Sequence, residues 1–122
     1  CIRDSINAPL TINRHFQTLK YPKTFIAGQL SGVEGYVESI MSGLVAAMCV
    51  AALIKNRPFI EFPASTVVGA LTKYLETPNA DFQPMNANFG LLPPPEENIR
   101  DKNAKKLLLS EKSLKDLKKA EF

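Results

Sequence analysis

The sequence predicts an α/β fold, because a short strand, a glycine-rich turn and a long apolar helix follow one another in its first half. The strand is the β-favouring run of residues 24–27, which ends at Gly28. The turn continues to residue 36, and the helix begins near residues 32–35 and extends to about Lys55. These elements in this order form the half-unit of a doubly wound sheet with helices on its faces.

The first two segments have different patterns. Residues 1–22 contain several turn formers and predict an irregular or short-strand segment. In the long helix, apolar residues recur at spacings of three and four, while small residues fill much of the remainder. A helix with so few charges is expected to be buried on most of its faces, against a sheet. The apolar residues of this helix are Val37, Ile40, Met41, Leu44, Val45, Met48 and Cys49.

The second half predicts two more helices and a long loop. One helix extends from about Ser65 to Glu76, with Ser65 or Thr66 as its N-cap. Residues 80–95 form a loop whose apolar side chains must pack on the protein or belong to a site. Residues 96–122, rich in lysine and leucine, predict an amphipathic helical tail beyond the domain of residues 1–95. The inward apolar residues are Val67, Val68, Leu71 and Leu75, then Leu107, Leu108, Leu109, Leu114 and Leu117.

The composition and the first residue of the chain bear on its expected partners, location, membrane segments and processing. The net charge of +3 permits binding to a polyanion but does not require it. Two cysteines are too few for a disulfide framework, which predicts a reducing, cytoplasmic location. The longest apolar run, Leu44 to Ile54, is shorter than the roughly 20 residues that span a bilayer, so no membrane segment is expected. The chain opens at Cys1 without an initiator Met, which predicts a processed or truncated product.

The glycine-rich turn has two interpretations from its pattern alone. Gly28, Gly32 and Gly35 differ in spacing from the dinucleotide fingerprint Gly-x-Gly-x-x-Gly. They bring the backbone close to a ligand at the helix N-terminus, or they only permit close packing of helix and strand. Glu34 in the first helical turn would oppose a phosphate there, so the negative group of a ligand must lie to one side, or the contacts are not phosphates.

Two blocks of the sequence match the motifs of a known family. Residues 25–39 contain Ala-Gly-Gln-Leu-Ser-Gly-Val-Glu-Gly-Tyr-Val-Glu-Ser, and residues 81–93 contain Asp-Phe-Gln-Pro-Met-Asn-Ala-Asn-Phe-Gly-Leu-Leu-Pro. Both blocks resemble signatures of the folate- and FAD-dependent tRNA uracil methyltransferases, the TrmFO or Gid family. The resemblance covers about residues 1–95. It implies the C-terminal part of a Rossmann-like FAD-binding domain, with the N-terminal part of the enzyme missing.

The resemblance implies an activity and its cofactors. The reaction is methyl transfer from methylenetetrahydrofolate to C5 of a uridine in tRNA, with FAD and NAD(P)H as further cofactors. The same chemistry on ribosomal RNA, and a non-catalytic fragment or RNA-binding module, are the open alternatives. GidA-type flavoproteins are less expected, since they lack the two blocks together. Because half of the cofactor cleft is missing, the chain alone is expected to bind FAD weakly and to show little activity.

The resemblance also implies which residues face the cofactor and the folate or substrate. Gln29 stands where many flavoproteins of similar build carry an Asp that binds the ribityl hydroxyls, and its amide both donates and accepts. In the second block, polar side chains suit a pterin or a base, and the alternative is a loop anchored by Phe82 and Phe89. The cofactor-side residues are Gly28, Gln29, Gly32, Val33, Glu34, Gly35 and Tyr36, and the folate- or substrate-side residues are Asp81, Gln83, Asn86 and Asn88.

No catalytic residue and no metal ligand is assigned. The family's first glycine-rich turn and the cysteines that act on the uridine are not in this sequence. Cys1 falls at a histidine of the motif HRNTFINSP, which residues 1–9 weakly resemble, so a folate contact is not carried over to it. Cys49 is expected to be a core residue. His15 has no Cys, Asp or His at ligand spacing, which argues against a metal site.

Several basic residues are candidates for contacts with RNA phosphates. They are Lys55, Arg57, Lys73 and the lysines of the tail. For the tail, a solvated helix face is the better explanation from sequence alone.

Overall fold

A computed structural model describes residues 5–95 and 100–120 of the chain. In this part of the chain the regular structure is helical and no strand forms. Two 3₁₀ turns, Gln29–Ser31 and Phe89–Leu91, interrupt the connecting segments. The α-helices are α1 (Ala8–Thr11), α2 (Tyr36–Ile54), α3 (Val67–Glu76) and α4 (Lys102–Lys119).

The prediction of a strand at residues 24–27 is wrong. Phe25 forms only an isolated antiparallel bridge with Gln17, and the Ile26 N–H donates to the Phe16 carbonyl at 2.9 Å. A strand needs consecutive pairs along a straight neighbour. Here the neighbour bends at Phe16, whose φ is +62°, and the run itself ends at Gly28, whose φ is +72°. The described residues therefore give a helical fold, and the predicted α/β class is not reproduced within them.

Helix α2 confirms the long helix predicted from the sequence. It begins directly after Gly35, whose φ of +112° is outside the helical region. At its other end Asn56 adopts a left-handed conformation with φ of +51°, and the Arg57 N–H donates to the Ala52 carbonyl at 2.8 Å. This hydrogen bond and the left-handed residue form a Schellman C-cap, with Pro58 just beyond it.

The burial predicted for α2 is wrong, because only one of its faces is covered. Its buried residues are Ser42, Val45, Ala46 and Cys49. The opposite face is apolar and exposed, with Tyr36 at 92%, Ile40 at 74% and Ile54 at 78%. Nothing in the described residues supplies the sheet that the prediction placed against this face. We call it the apolar stripe of α2; it consists of Tyr36, Ile40, Leu44, Ala47, Ala51 and Ile54.

Helix α2 is also long and apolar enough to cross a membrane. It has 19 residues with a mean hydropathy of 2.1, and 28% of it is buried in the fold. The run from Leu44 to Ile54 is shorter, but the helix adds residues 36–43, which contain one charge. This is weak evidence for a span, since core helices of soluble proteins meet the same two criteria. The absence of a membrane segment stays a prediction.

The main core lies between α1, α2 and α3. Thr66 is the N-cap of α3, as predicted, and its Oγ1 accepts from the Gly69 N–H at 3.0 Å. Helix α1 was not predicted; Pro9 lies in its first turn, where a missing N–H costs nothing. The buried residues of this core are Ala8, Ile12, Phe16, Val33, Val45, Ala46, Cys49, Leu71, Leu75 and Phe82.

Helix α4 packs on α3 through a second, smaller cluster. Leu109 is buried against Ala70 and Leu92. The Ser65 hydroxyl donates to Asp116 at 2.6 Å, which fixes the later part of α4 near the start of α3. The predicted tail helix is therefore confirmed. Its predicted apolar side is only partly correct, because Leu107 and Leu114 are 63% and 59% exposed.

A charged cluster fastens the segment after α1 to the rest of the fold. The Arg14 guanidinium donates to Glu76, with 2.7 Å between Nε and Oε1, and to Glu61 at 3.3 Å. His15 Nε2 lies 3.1 Å from Glu61, and the imidazole packs on Phe59 with ring centroids 5.0 Å apart. Burial raises the pKa of Glu76, but the hydrogen bonds from Arg14 outweigh it and hold that pKa below its ordinary value. Burial lowers the pKa of His15 by more than Glu61 raises it.

Stability is expected to fall on mild acidification because of His15. A lowered pKa means that folded His15 binds a proton less readily than unfolded histidine, so its contribution is present above about pH 6.5 and lost below it. His15 is the single histidine of the chain, so His15→Gln should flatten this dependence between about pH 7.5 and pH 5.5. Chemical denaturation at several pH values measures it, and the same slope in wild type and variant would contradict the assignment.

Candidate cofactor-binding site

The glycine-rich segment is held in place by two buried serines. Ser42 Oγ accepts from the Gly28 N–H at 2.7 Å and donates to the Ser39 carbonyl at 2.8 Å. Ser31 Oγ donates to the Gly28 carbonyl at 2.7 Å. Both serines are fully buried. The turn that precedes α2 is therefore anchored from the helix itself and from its own 3₁₀ turn.

The second motif block pairs with the first through the backbone. The Met85 N–H donates to the Gly32 carbonyl at 3.0 Å, and the Glu34 N–H donates to the Met85 carbonyl at 3.0 Å. This is a parallel bridge between Val33 and Met85. Two blocks that lie about 50 residues apart in sequence thus form one structural unit.

Side chains add two further links between the blocks. Gly32, with φ of +92°, leaves room for the Phe82 ring, since a Cβ on Gly32 would lie 2.6 Å from Phe82 Cζ. Phe82 is itself buried and packs on Tyr74, with ring centroids 5.7 Å apart. Glu38, in the first turn of α2, accepts from the Ala87 N–H at 2.9 Å. The loop of the second block is therefore fixed on both sides of Met85.

The predicted cofactor-side residues divide into an exposed and a buried set. Gln29, Glu34, Gly35 and Tyr36 are exposed in the segment that leads into α2. Gly28 is half-buried, and Gly32 and Val33 are buried. The side chain of Val33 belongs to the core, so only its backbone is available to a ligand. The exposed set is the part of the turn that a ligand can reach.

Three of the predicted folate- or substrate-side residues make local hydrogen bonds. Gln83 Nε2 donates to Asp81 Oδ1 at 3.0 Å. Asn88 Oδ1 accepts from the Gly90 N–H at 2.9 Å and caps the 3₁₀ turn Phe89–Leu91. Asp81, Gln83, Asn86 and Asn88 are all exposed. The contacts of Asn88 are those of a residue that shapes the loop, while the other three side chains point to a reachable surface.

The N-terminus of α2 supplies backbone donors to the exposed set. Gly35 is the N-cap residue and has no side chain to cap the first-turn N–H groups. These groups and the helix dipole favour an oxygen acceptor from a ligand. Glu38 and Glu34 place carboxylates at the same end, which disfavours a phosphate and suits hydroxyl or carbonyl oxygens. An approach of non-phosphate groups to this turn stays a prediction.

Sequence reasoning missed the residues that position this site. Ser42, Ser31 and Glu38 were not singled out, although Ser42 and Glu38 have recognisable signals. A single serine on the inner face of an apolar helix needs a polar partner. A glutamate three residues after the N-cap position stands where a capping box places its acid. Met85 had no such signal, because its role is a backbone pairing.

The remaining candidates fall outside this site. His15 lies in the charged cluster with Arg14 and Glu61, and the described residues contain no group of metal-ligating side chains. Cys49 is a core residue, and burial raises the pKa of its thiol, which keeps it neutral and unreactive. Cys1 lies outside the described residues.

Comparison with known proteins finds one matching family model and several similar tRNA methyltransferases. Residues 1–58 match the family described as Glucose inhibited division protein A. The chain is 46% identical over 113 residues to the methylenetetrahydrofolate--tRNA-(uracil-5-)-methyltransferase TrmFO of Desulfitobacterium hafniense, which covers 92% of this chain and 26% of that protein. It is 44% identical over 111 residues to the TrmFO of Caldicellulosiruptor bescii, and this match covers 89% of the chain and 26% of that protein.

The chain belongs to the TrmFO/Gid-type family. It spans about a quarter of the length of the curated relatives it matches. The family model covers the glycine-rich block, and the match to the relatives extends over nine-tenths of the chain. The resemblance of the two motif blocks to this family is therefore confirmed.

Replacing Gly32 with alanine should destabilise the fold by about 2–4 kcal/mol. The left-handed backbone costs a residue with a Cβ about 1–3 kcal/mol, and the contact with Phe82 adds to it. Gly43→Ala is the matched control, because its Cβ meets nothing within 4 Å on a helical backbone; it should stabilise by about 0.5–1 kcal/mol. Chemical denaturation of both variants measures the difference, and equal effects would contradict the packing described.

Replacing Ser42 with alanine should cost about 1–3 kcal/mol, because the Gly28 N–H loses its acceptor. Ser110→Ala is the control: that hydroxyl donates only within α4, to the Lys106 carbonyl. Its effect should stay within about 0.5 kcal/mol. Hydrogen exchange at the Gly28 amide, measured by NMR, should accelerate in the first variant and not in the second.

Proposed function

We propose that this chain is part of a folate- and FAD-dependent methyltransferase that methylates uridine C5 in tRNA. The observation that carries the proposal is the joining of the two motif blocks by Met85. Relatives whose names state this activity are 42–46% identical over about nine-tenths of the chain. Because those relatives are named for tRNA, tRNA is the RNA that we assign rather than ribosomal RNA.

The exposed set at the start of α2 supports a contact with the flavin side of FAD. Gln29 offers an amide that donates and accepts, which suits ribityl hydroxyls. The uncapped N–H groups after Gly35 suit a carbonyl oxygen of the ring. The carboxylates of Glu34 and Glu38 argue against the pyrophosphate lying here. The cofactor residues are Gly28, Gln29, Gly32, Val33, Glu34, Gly35 and Tyr36, with the backbone alone acting at Val33.

The exposed edge of the second block supports a folate or nucleotide contact. Asp81, Gln83 and Asn86 present polar side chains on the loop that the first block holds in place. When bound, the folate supplies the one-carbon unit, and FAD with NAD(P)H supplies the reducing electrons. The residues of this chain position these groups by fixed backbone pairing. Cys49, the cysteine within the described residues, is buried and offers no nucleophile.

The apolar stripe of α2 supports a place within a larger α/β domain. A monomeric soluble protein rarely leaves a continuous apolar surface of this kind uncovered. We assign the stripe to packing against the remainder of a Rossmann-like FAD-binding domain, which includes residues 1–95, with residues 96–122 as a helical tail. This assignment also accounts for the hydropathy of α2 without a membrane. The protein is accordingly assigned to the cytoplasm, where tRNA is modified.

The test uses the intact polypeptide that contains this sequence. Purified protein should carry the visible absorbance of a flavin. It should also transfer a labelled one-carbon unit from methylenetetrahydrofolate to an unmodified tRNA transcript, detected as 5-methyluridine by mass spectrometry. A protein that binds no FAD and forms no 5-methyluridine with FAD and NAD(P)H added would contradict the proposal.

Gln29→Ala should weaken FAD binding about tenfold, which is the loss of one hydrogen bond of about 1.4 kcal/mol. Because Gln29 is exposed, its stability effect should stay within about 0.5 kcal/mol. Asn103→Ala, an exposed amide in the first turn of α4, is the matched control and should leave FAD affinity unchanged. Flavin fluorescence titration measures both. Equal FAD affinity in the two variants would remove Gln29 from the site.

A further inference from the structure

A groove on the outer side of α4 gathers three lysines. It has a volume of about 460 Å³, and its lining includes Lys112, Lys115, Lys119, Leu108 and Pro95. The lysines follow at intervals of three and four residues, which places them on one side of the helix at about 4.5–6 Å of rise from one to the next. The exposed leucines Leu107 and Leu114 lie on a different side. The basic side of α4 therefore contains one exposed leucine, Leu108, and lies apart from Leu107 and Leu114.

A second groove, lined mostly by apolar residues, adds two cations beyond the end of α4. It has a volume of about 530 Å³, and its lining includes Lys55, Arg57 and Phe59 from the region after α2. Ala120 lines this second groove, and Ala120 directly follows Lys119 of the first. The two grooves thus adjoin, and we call them together the basic track. Its cations are Lys55, Arg57, Lys112, Lys115 and Lys119.

Two of the carboxylates that line the basic track have partners within the fold. Asp116 accepts from the Ser65 hydroxyl at 2.6 Å. Glu61 lies 3.3 Å from the Arg14 guanidinium and 3.1 Å from the His15 imidazole. Glu111 is the other acid in the lining. Within the part of the chain that the structure describes, two of the three acids in this lining are therefore engaged in contacts with the fold, and the lining contains five cations against these three acids.

We propose that the basic track binds the phosphate backbone of RNA. Lysine and arginine side chains in a row are the groups that position an RNA strand without reading its bases. Leu108 and Pro95 offer apolar contact to sugars between the phosphates. An anionic membrane is a poorer match, because a membrane-bound helix inserts a broad apolar face beside its basic one. On the described part of α4 the exposed leucines are Leu107, Leu108 and Leu114, and Leu108 lies among the lysines rather than beside them.

This inference rests on the proposed function for the identity of the RNA, which is the tRNA that the enzyme methylates. It adds a docking surface at a part of the chain that carries no motif of the family. The basic track and the exposed set of the cofactor site lie at opposite ends of α2, since Lys55 and Arg57 follow its last residue and Gln29 precedes its first. The two sites can therefore be altered independently.

The test compares two triple variants of the intact polypeptide with equal loss of charge. Lys112→Gln, Lys115→Gln and Lys119→Gln together remove the lysines of the first groove. The control removes Lys20, Lys23 and Lys102, which are exposed and outside both grooves, by the same substitution. Glutamine keeps the helix propensity of lysine, and circular dichroism checks that α4 remains folded. The probe is a fluorescein-labelled tRNA transcript, titrated by anisotropy over a range of salt concentrations.

The groove variant should lower affinity for the transcript about a hundredfold at about 0.1 M salt. It should reduce the slope of log affinity against log salt by about two units, at roughly 0.7 for each phosphate that a lysine no longer neutralises. The control should keep both values near those of the wild type. Equal losses in the two variants would show a general charge effect and overturn the proposal. So would an unchanged affinity in the groove variant, or loss of binding only to anionic phospholipid vesicles.

The same experiment separates this inference from the proposed function. Flavin content and 5-methyluridine formation report on the proposed function alone. A flavin-free, inactive protein whose RNA affinity still depends on the basic track supports the docking surface and refutes the methyltransferase. An active flavoprotein whose RNA affinity is unchanged when these lysines are replaced supports the methyltransferase and refutes the docking surface.

Discussion

The structure of this chain depends on the backbone pairing of Gly32 and Glu34 with Met85. The two hydrogen bonds, each 3.0 Å long, satisfy donors and acceptors next to the fully buried Val33, where an unpaired group would be costly. They also decide where the second motif block lies. Once Met85 is paired, the Phe82 ring reaches the space that Gly32 leaves open, and Ala87 comes within reach of Glu38. The pairing with Met85 and these two further contacts therefore determine where the exposed set at the start of α2 lies.

The sequence predicted those elements whose causes are local. Helices α2 and α3 have caps and apolar periodicity within their own residues, and both appear near the predicted bounds. The strand at residues 24–27 fails because a strand is defined by its neighbour, and the segment that reaches it bends at Phe16. The site was predicted in part for the same reason. Its glycines and polar side chains are visible in the motifs, whereas the pairing through Met85 joins residues far apart in sequence.

Helix α2 connects two surfaces of different chemistry. Its start carries the uncapped N–H groups and the glutamates, and its end is followed by Lys55 and Arg57. On its inner face Ser42 ties the helix to the glycine-rich turn, and Val45 and Cys49 tie it to the core. A shift of α2 would therefore move the turn with it.

The length of α2 has a consequence for how an RNA could use both ends. Its 19 residues separate the exposed set of the cofactor site from the basic track by about 28 Å. A single nucleotide cannot span that distance, but a folded RNA can place one phosphate segment on the track and a uridine far from it. Binding on the track would then supply affinity without constraining the reacting base, whose position is left to the fixed turn and loop. Affinity for the RNA would then come from the basic track after the end of α2, and the position of the reacting base from the turn and loop at its start.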